Sequence, residues 1–223
     1  MASFAQAIKN IIWRVKPKMS QAEFWDRRYN TDEFVYTLTP NMFVIEFLGD
    51  LKPGKVIDVA GGEGRNSLYL AEKGWTAENV DVSLVGLNKW LKIAEERGVK
   101  DRALANLSSG TDFKAKLAPA DLGMIAYLQA EKKIIDASIA NTAKQLKPGG
   151  MLFGVWHCRE NLKDGYGGPQ DPKVLPTAAE LRETCEKLGL DVKVCENRDG
   201  LVQTKEGYKP SLVVVLQAYT PAR

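Results

Sequence analysis

The sequence is poor in the residues that build disulfide frameworks and metal centres. It has three cysteines, Cys158, Cys185 and Cys195, and one histidine, His157, in 223 residues. The cysteines are odd in number and lack metal-ligand spacing, so they read as reduced thiols of a cytoplasmic protein, with no metal site. Strong charge of either sign is also missing. Thirty-one basic residues stand against 28 acidic ones, for a net charge of +3. That excess does not argue for nucleic acid or an anionic membrane as partner, and no basic stripe or nucleic-acid motif adds to it. No apolar run approaches the length of a bilayer span. Near the start, Phe4, Ile8, Ile11, Ile12 and Val15 recur at helical spacing, but Gln6, Lys9, Asn10 and Arg14 interrupt them. A signal peptide would need an unbroken apolar stretch and a small-residue cleavage site. The pattern reads as an amphipathic helix packed on the domain or on a second subunit; attachment to a membrane surface through Lys9, Arg14, Lys16 and Lys18 is the lesser alternative. There is no internal repeat and no low-complexity segment.

What is present is ordinary for a soluble globular chain: 44% hydrophobic and 26% charged residues, in a length that suits one domain. A polar-aromatic segment at residues 20–29 precedes a helix near residues 40–48, with Pro40 suited to the first helical position. From Lys52 strand and helix patterns alternate. Residues 55–60 form a short apolar run ending in glycines, as a buried parallel strand would. Further strands are expected at residues 76–82, 102–107, 121–128, 151–157, 190–196 and 212–219. Helices follow the first two, with Gly74 closing one and Gly98 the other; another, through Ile135, Ile139, Thr142 and Leu146, is terminated at Pro148, Gly149 and Gly150. A Gly/Pro-rich loop over residues 161–176 leads into a helix at residues 177–188. Such alternation implies βαβ units and a mainly parallel sheet. The last two strands are separated only by the polar residues 197–211, so the final strand is expected to run antiparallel to the rest.

The most informative stretch runs from Val56 through Asp58, Ala60, Gly61, Gly62, Glu63 and Gly64 to Arg65 and Asn66. A strand, a glycine turn and a helix in succession place a ligand over the strand's carboxyl end. Structural turns use glycine too, so the loop gains meaning from its neighbours. Asp58 stands where a buried carboxylate needs a partner. It would repel a dinucleotide's pyrophosphate and welcome a cationic ammonium, which S-adenosylmethionine (SAM) carries. Asp81, at the end of the second strand, suits the ribose hydroxyls. Asn106, at the end of the third, suits the adenine amine through its side-chain oxygen. Singly, each reads equally well as a cap or turn residue.

These stretches resemble the class I SAM-dependent methyltransferases, specifically the branch of tellurite-resistance and thiol methyltransferase-like proteins. The resemblance is carried by Phe24-Trp25-Asp26-Arg27-Arg28-Tyr29, Pro40-Asn41, the glycine loop, Val80-Asp81-Val82-Ser83, Ala126-Tyr127-Leu128-Gln129, Lys147-Pro148-Gly149-Gly150 and Gly167-Gly168-Pro169-Gln170-Asp171-Pro172. It implies a Rossmann-like α/β fold: a seven-stranded mainly parallel sheet with the last strand antiparallel, helices on both faces and extra N-terminal helices. On this reading residues 1–50 are a helical segment covering the active site and residues 51–223 the SAM-binding domain. The resemblance implies that Gly62 and Gly64 approach the methionine part of SAM with Asp58 nearby, that Asp81 binds the ribose, and that Val82 or Ser83 flanks the adenine. Ala60, Gly61, Arg65, Asn66, Asn106, Leu107 and Ala126 complete the expected cofactor site. Three departures stand out: Ala60 for a glycine, Gly61 for a cysteine, and Asn106 for an aspartate.

The acceptor end is less defined. His157, at the end of the fifth strand, is the side chain whose ordinary pKa suits a general base, though a lone histidine there also serves as a structural residue. Tyr127 would lie near the transferring methyl. Trp25 and Tyr29 are read as covering SAM, Tyr36 as shaping an acceptor pocket and Tyr166 as part of a lid, against plain packing and connector roles. A Pro-Pro-Tyr signature for nitrogen in DNA adenine or protein amide is absent. The expectation is a cytoplasmic enzyme, monomer or homodimer, methylating a small molecule, with no nucleic-acid or membrane partner. A SAM-binding protein without catalysis and a nicotinamide-dependent oxidoreductase are the alternatives.

Overall fold

The computed structural model describes residues 19–204 and 206–222; the helix expected over Phe4 to Val15 lies outside them. Two short helices come first, α1 (Gln21–Tyr29) and α2 (Met42–Leu48). Ser20 caps α1 in a reciprocal box with Glu23, each side chain bonding the other residue's backbone N–H. Asn41, not Pro40, starts α2: its side-chain oxygen accepts from Phe43 N at 2.9 Å. Asparagine satisfies an N–H that proline at the first helical position only avoids.

The rest is β1 (Lys55–Val59), α3 (Arg65–Glu72), β2 (Thr76–Asp81), α4 (Leu84–Glu96), β3 (Ala103–Leu107), β4 (Ala120–Ala126), α5 (Lys132–Lys144), β5 (Leu146–His157), α6 (Asn161–Asp164), α7 (Ala178–Lys187), β6 (Asp191–Thr204) and β7 (Gly207–Tyr219). The seven strands form one sheet in the order β3-β2-β1-β4-β5-β7-β6. β7 runs antiparallel to both neighbours; β1 to β5 are mutually parallel. The expected α/β architecture and the reversed last strand are therefore present. The reversed strand lies second from the edge, and β6 forms the edge.

Within the polar stretch 197–211, expected as a connection, residues 197–204 and 207–211 are strand. Pairing continues from Asn197↔Val214 to Thr204↔Gly207. An edge strand has water along one side, so it takes the charged and amide side chains that mask a strand in sequence. Likewise residues 147–150 belong to β5, and α5 ends at Lys144. The 161–176 loop contains the single turn α6 and a further 3-10 turn at residues 172–174.

Two apolar layers flank the sheet. Val56, Met124, Phe153 and Val215 pack with Phe43, Leu68, Leu87 and Trp90 from α2, α3 and α4. Ile57, Val80, Ile125 and Leu216 pack with Ile135, Ile139, Leu181 and Cys185 from α5 and α7. Burying both faces of parallel strands explains why β1 and β4 read as continuous apolar runs. All carboxyl ends of β1 to β5 therefore open on one edge. All three cysteines are buried and free.

The turn into α3 tolerates only glycine. Gly64 has φ +82°, and a Cβ there would lie 2.6 Å from Trp90 Cε3. Gly98 shares the positive φ, at +69°, but faces open space. Gly64→Ala should therefore cost about 2–4 kcal/mol, combining backbone strain and overpacking, and Gly98→Ala about 1 kcal/mol. Urea denaturation of both variants checks this; equal losses would remove the packing contribution at Gly64.

Candidate functional site

β1 and β2 run side by side, with Asp58 level with Asn79. Both side chains are buried and meet at Gly61. A Cβ on Gly61 would stand 2.5 Å from Asn79 Oδ1 and 2.7 Å from Asp58 Oδ2. Ser67 Oγ donates to Asp58 Oδ2 at 2.6 Å, and Asn79 Nδ2 donates to the Gly62 carbonyl at 3.0 Å. The remaining acceptor of each side chain, Asp58 Oδ1 and Asn79 Oδ1, is buried without a partner. Two orphaned acceptors beside a bare glycine are costly unless a donor-rich group meets them. They fit the cationic N–H end of a ligand. Burial pushes the Asp58 carboxyl up to about 7, opposed by the Ser67 hydroxyl, reinforced by Asp81 and opposed by Arg65.

Asp81 holds the loop from the second strand. Its Oδ2 accepts Gly62 N at 2.9 Å and its Oδ1 accepts Ser83 N at 2.8 Å. Burial raises its pKa against those backbone donors. Ser83 caps α4 by accepting Gly86 N at 3.0 Å, and its hydroxyl donates to Asp26 of α1 at 2.6 Å. Tyr29 is buried directly on Gly62 and Gly86, where a Cβ on the first would overlap its hydroxyl oxygen and one on the second would stand 3.0 Å from its Cδ2, and Trp25 stacks on it at 5.5 Å. Ala60 takes a left-handed φ of 57° as the chain leaves β1. Val82 is half-buried and Leu107 exposed, the latter level with Asp81 across β3.

Asn106 is not brought to this cluster. It sits one residue earlier, level with Val80, and so on the opposite face of the sheet from Asp81. There its Nδ2 donates to Glu78 and to the Lys114 carbonyl, and its Oδ1 accepts from Ser108 at 2.7 Å.

The next residue of the loop, Glu63, carries no pattern that marks it in sequence. It is buried and accepts from Val35 N at 2.9 Å, Tyr36 N at 3.3 Å and Lys89 Nζ at 2.8 Å. Lys89 continues to Thr31 Oγ1 and the Glu33 carbonyl. This ion pair fastens residues 31–36 over the glycine loop. Tyr36 itself stays exposed, its ring under Arg28.

At the other end of the edge, Asn66 Oδ1 accepts Asn41 N, and Asn41 Nδ2 donates to the Tyr127 hydroxyl, both at 2.9 Å. Tyr127 follows Ala126, the half-buried last residue of β4, with φ 62°. Its ring lies 5.0 Å from that of His157 and 5.7 Å from the Arg65 guanidinium carbon. His157 ends β5; its backbone N–H bonds Gln129, and its Nδ1 is buried without a partner. Burial lowers its pKa, keeping the imidazole neutral at pH 7. Gly168, not Tyr166, covers it: a Cβ there would come within 2.7 Å of His157 Cγ. Tyr166 is exposed, beside Lys209 on the β6–β7 hairpin. Asp26, Asn41, Glu63, Asn79 and Lys89 thus join the site only through tertiary contacts.

A family described as "Tellurite resistance protein TehB" matches residues 19–156. Ribosomal RNA small subunit methyltransferase C from Alcanivorax borkumensis is 31% identical over 105 residues, 47% of this chain; the chain spans about a third of that relative, 32%. Among solved structures, one described as conversion of a disulfide bond into a thioacetal group during echinomycin biosynthesis has TM-score 0.74 and 15% identity, covering 92% of this chain and 93% of the other. A SAM-dependent methyltransferase from Methanosarcina mazei has TM-score 0.64 and 17% identity, covering 83% and 100%. At these identities the structures establish the fold.

The raised Asp58 pKa makes stability pH-dependent. The folded state keeps its proton up to about pH 7, whereas the unfolded state loses it near the ordinary value of 3.8. The protonated carboxyl's contribution is present below that ordinary value and is lost as pH rises toward 7. Without ligand, stability should therefore decline from about pH 4 to 7. Asp58→Asn should remove that contribution and flatten the decline, leaving Asp81, raised like Asp58, opposed by carboxylates such as Asp121 and Glu180 whose lowered values act with the opposite sign. Urea midpoints measured across that range decide it; an unchanged slope would show that Asp58 ionises freely.

Proposed function

The chain belongs to the tellurite resistance protein TehB family of SAM-dependent methyltransferases, and from that premise we propose that it transfers a methyl group from SAM to a small-molecule acceptor. The observation that carries the reading is the pair of unpartnered buried acceptors, Asp58 Oδ1 and Asn79 Oδ1, on the two side chains that flank Gly61. They suit the ammonium end of SAM, and pyrophosphate would be repelled there. Residues 19–50 act in this reading as an arm closing the site of the domain that follows, as Trp25 and Tyr29 do over the loop.

Bound SAM supplies an electrophilic methyl group on a sulfonium. The chain's part is to hold it, orient the acceptor and exclude water. Ala60, Gly61, Gly62 and Gly64 let backbone approach the ligand closely, with Arg65 and Asn66 at the start of α3. Each Asp81 oxygen accepts one backbone N–H, so each keeps a lone pair for a ribose hydroxyl. Val82, Ser83 and Leu107 border the adenine position. Asn106, already satisfied on the other face, takes no part. His157, neutral with a free Nδ1, removes the proton of an acceptor that carries one, and Ala126 and Tyr127 flank that acceptor. Tyr36 and Tyr166 lie too exposed for more than outer-rim roles. Among the described residues no helix is long and apolar enough to cross a membrane and no group of three or more acidic, histidine or cysteine side chains could hold a metal. The reading is of a cytoplasmic enzyme, monomeric or homodimeric, with neither nucleic acid nor membrane as partner.

Calorimetry should give one SAM site per chain and no NAD binding. Asp81→Ala should weaken SAM by about 1.5–3 kcal/mol, the worth of charge-assisted hydrogen bonds. NAD binding in place of SAM would overturn the reading. Transfer of label from methyl-labelled SAM into a metabolite extract identifies the acceptor.

On a proton-bearing acceptor, His157→Gln should lower turnover roughly 10²–10⁴-fold with SAM binding kept. The rising limb of the pH–rate profile, set below the ordinary histidine value by burial, should vanish with it. Wild-type turnover in that variant would end the general-base role.

A further inference from the structure

Asn41 and Tyr127 are 86 residues apart in sequence and meet through one hydrogen bond of 2.9 Å. We propose that Asn41 is a positioning residue: it fixes the direction of the Tyr127 hydroxyl proton, making Tyr127 a hydrogen-bond donor to the group that is methylated. The inference rests on the methyltransferase reading above and goes beyond it in assigning a donor and what aims it.

The argument begins with the orientation of the Asn41 amide. Its Oδ1 accepts Phe43 N at the start of α2, and only the oxygen of an amide can accept. The atom facing Tyr127 is therefore the NH₂ group, which can only donate. The phenol oxygen is the acceptor in that contact, so its own hydrogen must point away from Asn41 and the α2 terminus. No other partner of the hydroxyl is present among the described residues, which leaves the proton available at the strand-end site. Asn41 is in turn held by its backbone N–H on Asn66 Oδ1, one residue beyond Arg65 at the start of α3.

Tyr127 is held as firmly. Its φ of 62° is unusual for a bulky residue and persists only where the surroundings over-determine it. Its N–H bonds the Val155 carbonyl at 2.7 Å, its carbonyl accepts Gln129 N at 2.8 Å, and Arg65 lies over the ring. Burial raises the phenol's pKa, so the proton stays on at neutral pH. The neighbouring His157 offers the opposite function, an unpartnered Nδ1. An acceptor atom bearing a proton and two lone pairs would receive Tyr127's hydrogen on one lone pair and give its proton to His157. The remaining lone pair would then face the methyl group, an alignment that counts directly toward rate.

Asn41→Asp separates this role from packing. Aspartate caps a helix as well as asparagine and has the same shape, but it replaces the donor with an acceptor, so the Tyr127 hydrogen should turn toward residue 41. The expected result is an unfolding midpoint and SAM affinity near wild type, with kcat lowered roughly 10-fold or more. Tyr127→Phe added to Asn41→Asp should lower kcat little further. Independently of turnover, the tyrosine Fermi doublet, isolated as the Raman difference between each protein and its Tyr127→Phe counterpart, should change from an accepting phenol in the wild type to a strongly donating one in Asn41→Asp. An identical doublet in the two proteins, or losses in kcat that simply add, would overturn the proposal. A wild-type protein that neither binds SAM nor transfers methyl would overturn the methyltransferase reading instead, and the Raman comparison would still decide the direction of the proton.

Discussion

Both backbone groups of Gly62 are held by one strand. Asp81 accepts its N–H and Asn79 donates to its carbonyl, so the glycine loop is a rigid extension of β2 as well as the exit of β1. Everything else at the site depends on this attachment. With Gly62 pinned, Gly61 is left beside Asp58 and Asn79, Tyr29 can seat on Gly62, and Gly64 can turn the chain into α3 against Trp90. A loop held only by its ends would offer none of these surfaces in a fixed place. The cost is a knot of buried polar groups, two of whose acceptors stay unpartnered within the protein.

The first part of the N-terminal arm is built onto that loop, whereas α2 packs on the sheet through Phe43. Glu63 gathers the backbone of Val35 and Tyr36 and the Lys89 ammonium, with side chains 4% and 16% exposed for the ion pair. Removing one partner from so enclosed a pair leaves a desolvated charge, which typically costs about 3–5 kcal/mol. Asp26 adds a second tie by bonding Ser83 and Val85 at the start of α4, and Asn41 a third. The three contacts lie over the carboxyl-end edge of the sheet, so the arm's position and the candidate site's geometry are a single mechanical unit. The electrostatics agree: carboxylates at Asp58 and Asp81 are disfavoured by burial, and a cationic ligand would relieve what the folded chain alone does not.

At the far end of the edge the polar groups are complementary in kind. Tyr127 presents a hydroxyl whose accepting side is already taken, and His157 a neutral ring nitrogen with nothing bonded to it. Gly168 lies against the imidazole, and its loop is tied down by the buried Asn161, which bonds the Gly167 carbonyl and Leu212 N–H. The loop that the sequence marks only by glycine and proline is thus an ordered cover.

The sequence by itself determined the α/β alternation, the reversal of β7 and the edge where the carboxyl ends of β1 to β5 meet, because period, glycine turns and short apolar runs are local properties of the chain. It also marked Asp58, the glycine loop, Asp81 and His157, since each stands at the end of a recognisable strand. It did not reveal the length of the β6–β7 hairpin: an edge strand carries polar residues such as Asn197, Arg198 and Asp199 that imitate a loop. Nor did it reveal which face a strand-end residue takes. Asn106 reads as a ligand contact in sequence, yet a shift of one residue in register sends it to Glu78 on the opposite face. Asn79, Glu63, Lys89, Asp26 and Asn41 were decided only by the tertiary structure. Their partners lie tens of residues away, and a polar side chain becomes a site residue only when folding removes water from it and leaves one particular donor or acceptor within reach.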